Sequence, residues 1–102
     1  MPEASIKLKA SLRNGRLTVR ALLRHPMEVG RRLDNGKRVP PHFIKRVVCS
    51  LDDDVVLDAD WGGGVARDPY LSFEVEEVVA GARLTLRWED NQQNHDEATL
   101  VV

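Results

Sequence analysis

Three histidines, His25, His42 and His95, and one cysteine, Cys49, are the side chains best suited to hold a metal, move a proton or act as a nucleophile. His25 and His42 bracket one long connection and can meet in space, so with His95 they form the candidate set for a small metal-binding enzyme. Metal sites commonly announce themselves as His at i and i+4 on a helix or as His-x-His on a strand, and neither spacing occurs. Histidines that hydrogen-bond loop backbone account for the pattern better. The serines lie in alternating runs, and no Gly-x-Ser-x-Gly elbow is present to strain one into a nucleophile. Cys49 sits in Val-Val-Cys-Ser-Leu and shares a strand face with Val47 and Leu51. Burial beside aliphatic neighbours raises a thiol pKa and makes it inert, which favours a small core residue. The other reading of Cys49 is a thiol near a partner surface, able to form an interchain disulfide. No catalytic, cofactor-binding or metal-binding residue is therefore expected.

Three further clusters have plainer explanations. Asp52-Asp53-Asp54 lacks the Gly and the closing Glu of a calcium loop, so short acidic side chains at a turn explain it. Gly62-Gly63-Gly64 precedes neither a helix nor a Lys-Ser/Thr pair, so a bulge or a tight corner between sheets is expected rather than a phosphate cradle. Arg31, Arg32, Lys37 and Arg38 have no interleaved aromatic residues on which bases would stack. A solvated loop or a contact with an acidic partner fits them better than nucleic acid.

The elements that must position these residues follow from period-2 alternation. Ile6, Leu8, Ala10 and Leu12 alternate with polar residues, Asn14-Gly15 intervenes, and Leu17, Val19, Ala21 and Leu23 resume the pattern. Alternation around Asn-Gly predicts a hairpin, because both residues tolerate the positive φ of a type I′ turn. Phe43 to Leu51 and Val55 to Trp61 read as two more strands separated by the acidic turn. After the triple glycine and Asp68-Pro69, Leu71, Phe73 and Val75 form a fifth run, and Leu84, Leu86 and Trp88 a sixth beyond Ala80-Gly81. Glu97 to Val102 supplies a last strand. The predicted fold is all-β, an antiparallel immunoglobulin-like β-sandwich of about seven strands in a single domain, 1–102. A small barrel is the second architecture that the pattern allows.

The bulk numbers agree. With 42% hydrophobic and 30% charged residues the chain can bury one core without disulfides, which a lone cysteine excludes in any case. A net charge of −1 gives no global field for nucleic acid or an anionic membrane. No run approaches the ~20 apolar residues of a membrane span, and the N-terminus has no secretory apolar core. Read alone, the N-terminus implies a cytoplasmic chain or one already processed, and the initiator Met argues against processing.

The stretch from Arg24 to Ile44 does not fit a hairpin domain. Connections longer than about 12–15 residues are uncommon in compact domains and are usually functional or disordered. Here Pro26, Pro40 and Pro41 fix the backbone, Met27 and Phe43 offer apolar anchors, and the two histidines and four basic residues offer polar contacts. An ordered recognition loop is expected.

The blocks His25-Pro26-Met27-Glu28, Gly30-Arg31, Pro40 and His42-Phe43-Ile44 keep order and spacing with Asp68-Pro69-Tyr70-Leu71-Ser72-Phe73 and Leu86-Arg87-Trp88-Glu89-Asp90-Asn91. From Ile6 to Ala98 the chain resembles SoxZ, a subunit family of the sulfur-oxidation carrier complex. The resemblance implies an Ig-like sandwich that forms a heterodimer with SoxY, whose mobile C-terminal tail carries sulfur intermediates covalently on a cysteine. It implies further contacts with other Sox pathway enzymes and a periplasmic location reached by export together with SoxY. It makes this chain the non-carrying, non-catalytic half. A terminus of Thr99-Leu100-Val101-Val102 and a mid-strand thiol agree with that role. Arg67-Asp68-Pro69 departs from the family's Lys-Asn-Pro-type turn, and the triple glycine followed by Val65-Ala66 is this chain's own version of that corner. The residues expected at the partner contact are His25, Met27, Arg31, Arg32, His42 and Phe43. An unpaired strand edge would favour homodimers when SoxY is absent. A generic Ig-like interaction domain is the remaining alternative.

Overall fold

The structure, a computed structural model, describes residues 5–28, 30–62 and 64–102. The strands in order are β1 (Ile6–Arg13), β2 (Arg16–Leu23), β3 (Leu33–Asp34), β4 (Lys37–Arg38), β5 (Ile44–Leu51), β6 (Asp54–Asp60), β7 (Tyr70–Val75), β8 (Arg83–Asp90) and β9 (His95–Val101). All seven strands expected from alternation are present. The two-residue strands β3 and β4 are additional and lie within the Arg24–Ile44 connection, where alternation predicts no strand. Their turn, Asn35-Gly36, has φ of 51° and 77°, the same values as Asn14-Gly15 in the β1–β2 turn. The same dipeptide builds the same turn, and only the shortness of the flanking strands hides it.

Two antiparallel sheets, β1-β2-β7 and β6-β5-β8-β9, form an immunoglobulin-like sandwich. Alternation decides which face of each strand enters the core. Leu17, Val19, Ala21 and Leu23 of β2 are buried, as are Leu84, Leu86 and Trp88 of β8, while the flanking strands are half-buried. In β5 the buried residues are Ile44, Val47 and Cys49, whose first interval is three rather than two. A register shift between Ile44 and Arg46 absorbs the extra residue, so both Ile44 and Val47 face inward.

The turns follow the sequence chemistry. Asp52 adopts φ 52°, and its Oδ1 accepts the Arg83 N–H at 3.0 Å, so the acidic run caps a turn. Between β6 and β7 the chain crosses from one sheet to the other, and Val65 N–H donates to the Gly62 carbonyl at 3.3 Å. The triple glycine is thus part of an inter-sheet corner, with Gly63 outside the described residues.

Leu86 is fully buried between Cys49 and Ala98. Leu86→Ala should lower the unfolding free energy by about 2–5 kcal/mol. Thr85→Ala, on the outer face, should change it by about 0.5 kcal/mol or less. Urea unfolding monitored by Trp fluorescence measures both; equal losses would mean that the assignment of inner and outer faces is wrong.

Candidate functional site

The inward alternation of β8 runs Leu84, Leu86, Trp88 and then Asp90, which places a carboxylate on the buried face where the strand ends. Asp90 is 1% exposed. A buried charge is costly unless it is fully hydrogen-bonded, and here the loops at this end of the sandwich supply the donors. Oδ1 accepts the backbone N–H groups of Gln92 at 2.9 Å and Asn94 at 2.8 Å, closing the β8–β9 turn. Oδ2 accepts His25 Nε2–H at 3.0 Å, His42 Nε2–H at 2.8 Å and Asn94 Nδ2–H at 3.2 Å. Burial pushes the Asp90 carboxyl up, but the hydrogen bonds from His25, Asn94 and His42 outweigh it and bring the pKa down from 3.8 to about 2.

The tautomer of His25 follows from its surroundings. Met27 N–H donates to His25 Nδ1 at 3.2 Å, so that nitrogen carries a lone pair and the ring proton sits on Nε2, facing Asp90. The His25 ring stands edge-on to His42 at 4.5 Å and to Trp88 at 5.2 Å. His25 N–H donates to Asp68 Oδ1 and His25 C=O accepts from Asp68 N–H, both at 3.0 Å. Asp68 has φ 50°, a left-handed conformation that Asp and Asn both tolerate, so this chain's Arg-Asp-Pro version of the turn still fastens the β6–β7 corner to the His25 segment.

Met27 also adopts positive φ, 49°, and its sulfur accepts the Ile44 N–H at 3.3 Å. Glu28 and His42 exchange backbone hydrogen bonds at 2.7 and 2.8 Å, closing the long connection at its neck. A Cβ on Gly30, φ 83°, would lie 2.8 Å from Pro41 Cγ, so only glycine lets the two arms of the neck pack. Asn91 completes the clasp, donating to the Pro41 carbonyl and accepting the Phe43 N–H.

The residues expected at a contact fall into two groups. His25 and Met27 are buried, and His42 and Phe43 half-buried; together they hold the connection in place from beneath. Arg31 and Arg32 are exposed. Arg32 bonds Glu28 Oε1 at 2.8 Å, whereas Arg31 has no carboxylate partner among the described residues. Beyond them the β3–β4 hairpin carries Leu33, 64% exposed, with Lys37 and Arg38, so the hairpin is an exposed arm of mixed apolar and cationic character.

The three histidines do not assemble. His95 opens β9 opposite Glu89 and is exposed, and the cluster that forms is His25, His42 and Asp90, with ligand-type atoms within 4.8 Å of one another. A metal would need the lone pair of His25 Nε2 and would put a proton on Nδ1, against the Met27 N–H. Metal-bound histidines instead direct that second N–H at an acceptor. The arrangement therefore works as a hydrogen-bonded clasp. Asp90 was missed in the sequence, although an Asp continuing an apolar period-2 face was a visible signal. Leu33 was missed because the short hairpin was.

A second polar tether lies beside the first. Trp88 Nε1–H donates to Ser5 Oγ at 3.0 Å, and Ser5 donates through its hydroxyl and its N–H to Asp96 Oδ2. Burial raises the Asp96 carboxyl, yet the hydrogen bonds from Ser5 and the Glu97 N–H hold it below its usual value. Cys49 is fully buried, and loss of solvation pushes its thiol up to about 11.

The family model described as "Sulphur oxidation protein SoxZ" matches residues 6–101. No curated protein matches the chain.

Because Asp90 has a lower pKa folded than unfolded, its stabilisation is present above pH 3.8 and disappears as pH falls through about 2. Asp90→Asn should cost about 3 kcal/mol at pH 7, because the amide cannot receive every donor. It should also flatten the acid-side loss of stability over that window; a wild-type slope retained in the variant would remove Asp90 from the centre of the clasp. Cys49 should resist alkylation by iodoacetamide at pH 8 in the native protein and react fully in denaturant, read by mass spectrometry. Rapid native labelling would contradict its burial.

Proposed function

The chain belongs to the SoxZ family, a subunit family of the sulfur-oxidising Sox system, and from that footing we propose that it is the non-catalytic half of the SoxYZ carrier. In this reading it pairs with SoxY, whose C-terminal cysteine holds the sulfur intermediates, and helps present them to the other enzymes of the pathway. The pair would work in the periplasm after being exported together.

The family match over nearly the whole chain carries the reading. Two structural observations support it. The sole thiol, Cys49, is buried and protonated at neutral pH, so it is poorly suited to holding a sulfur intermediate. His25 and His42 are committed to Asp90, which leaves neither ring poised beside an open cavity as an acid or base.

For the contact we assign the exposed part of the long connection: Arg31, Arg32 and the β3–β4 arm with Leu33. Arg31 offers a charge with no carboxylate partner among the described residues and Leu33 an apolar anchor, the combination found where a polar rim surrounds a dry contact. His25, Met27, His42 and Phe43 would act through the loop they hold, rather than by touching the partner. The unpaired edges of β6 and β7 offer a separate route to self-association of the isolated chain.

Co-expression with a SoxY protein should give a stable one-to-one complex on a sizing column, and two independent peaks would count against the carrier reading. Arg31→Glu with Arg32→Glu should weaken that complex about tenfold or lower pathway turnover, chiefly through slower association at low salt. Binding and turnover both unchanged would remove the loop from the contact and leave the pairing itself standing.

A further inference from the structure

Antiparallel register puts like charges opposite one another on the outer face of the β1–β2 hairpin. Lys9 lies directly across from Arg20, and Arg13 from Arg16, with Ser11 and Thr18 paired between them. Like charges opposite each other destabilise a hairpin, so the arrangement has a cost that nothing in the fold requires. Among the described residues no carboxylate pairs with Lys7, Lys9, Arg13 or Arg20, and of these face cations only Arg16 is compensated, by Glu74 of β7 at 3.9 Å and by Glu76, just past the end of β7, at 3.1 Å. Lys9, Arg13, Arg16 and Arg20 line a shallow depression of about 740 Å³.

The other sheet provides an internal control. On its outer face Arg46 makes a two-bonded pair with Asp58 at 3.0 and 2.8 Å, Thr85 bonds Thr99, and Arg87 lies across from Glu97. That face neutralises itself, whereas the hairpin face does not. Lysines on a free edge strand are a common guard against aggregation, and β1 is such an edge. That function needs charge on β1 alone. Arg16 and Arg20 lie on β2, which is paired on both sides, so edge protection does not explain them.

We propose that the outer face of the β1–β2 hairpin is a docking surface for an extended acidic segment of a partner protein. Along β1 the outward positions repeat about every 6.8 Å, and Lys7, Lys9 and Arg13 occupy three of four such positions over about 20 Å, with Ser11 at the other. Carboxylates at alternate positions of an extended chain repeat at the same spacing. Glu74 on the neighbouring strand β7 and Glu76 just past its end, two residues apart, both reach Arg16, so carboxylates at alternate positions of an extended segment do meet this face. The surface is firmly held, since Val78 N–H donates to the Gly15 carbonyl at the hairpin turn. Nucleic acid fits less well, because Tyr70, at the corner of the face, is its one aromatic residue and no ladder of rings is interleaved with the cations. The proposal does not rest on the SoxY reading.

The test is amide NMR titration of the full chain with a ten-residue peptide of alternating Glu and Ser. Shifts confined to Lys7–Arg20 and neighbouring β7 amides, lost at high salt, are expected. Lys9→Glu with Arg20→Glu should weaken binding about tenfold, from two attractions exchanged for two repulsions. If that variant fails to fold, Lys9→Gln with Arg20→Gln provides the same comparison without repulsion and should weaken binding severalfold. No shifts at millimolar peptide would overturn the proposal. Equal shifts with sodium sulfate at matched ionic strength would reduce the face to a counterion site, and tighter binding of oligothymidylate would assign it to nucleic acid; either also overturns it.

Discussion

One buried carboxylate organises an entire end of this sandwich. Asp90 continues the apolar face of β8 past Trp88, where an aliphatic residue would have closed the core. A carboxylate at that depth is tolerated only with its acceptor sites filled, and the donors come from two loops. The β8–β9 turn supplies Gln92 and Asn94, and the two ends of the long connection supply His25 and His42. The requirement to satisfy one charge thus fixes where the connection leaves β2 and where it enters β5. Leucine at this position would leave both imidazoles and two turn amides without that acceptor, so the polar solution is specific as well as stabilising.

The consequences spread along the backbone. With His25 held from Nε2, its Nδ1 is free to accept the Met27 N–H, and that bond accompanies a positive φ at Met27. The turn delivers the Met27 sulfur into the core beneath Ile44 and directs Glu28 toward His42. Beyond this neck the chain runs out into solvent as the β3–β4 arm. A flexible linker of the same length would present Arg31 and Leu33 over a wide volume. The clasped version presents them in one place, which lowers the ordering cost of any contact they make.

Most of the framework was legible because period-2 alternation is local and strands need little else. What escaped had physical reasons. The β3–β4 arm has two-residue strands, too short to show alternation, though Asn35-Gly36 repeated the turn recognised at Asn14-Gly15. The bulge after Ile44 breaks parity, so counting by twos from Phe43 misplaces part of β5. His25 and His42 were correctly paired in expectation as neighbours across one loop, yet the third member was sought among histidines. The third member is Asp90, which resembles a turn residue because Asp and Asn are common after strands. His95 has no share in the cluster because it falls on the outward side of β9.

Charge follows a similar logic at larger scale. A net charge of −1 conceals two sheets with opposite habits, one neutralising its outer face residue by residue and the other gathering cations, most of them without a carboxylate partner among the described residues. Such segregation leaves the summed charge unchanged and alters only the field near each face. That near field steers the approach of a charged partner within about a Debye length, 8–10 Å at ordinary salt. Shape and field are two means by which a folded surface selects its partners. The rigid arm beyond the Asp90 clasp supplies the first, and the hairpin face supplies the second. The two surfaces are built from different strands, β3 and β4 for the arm and β1 and β2 for the hairpin face.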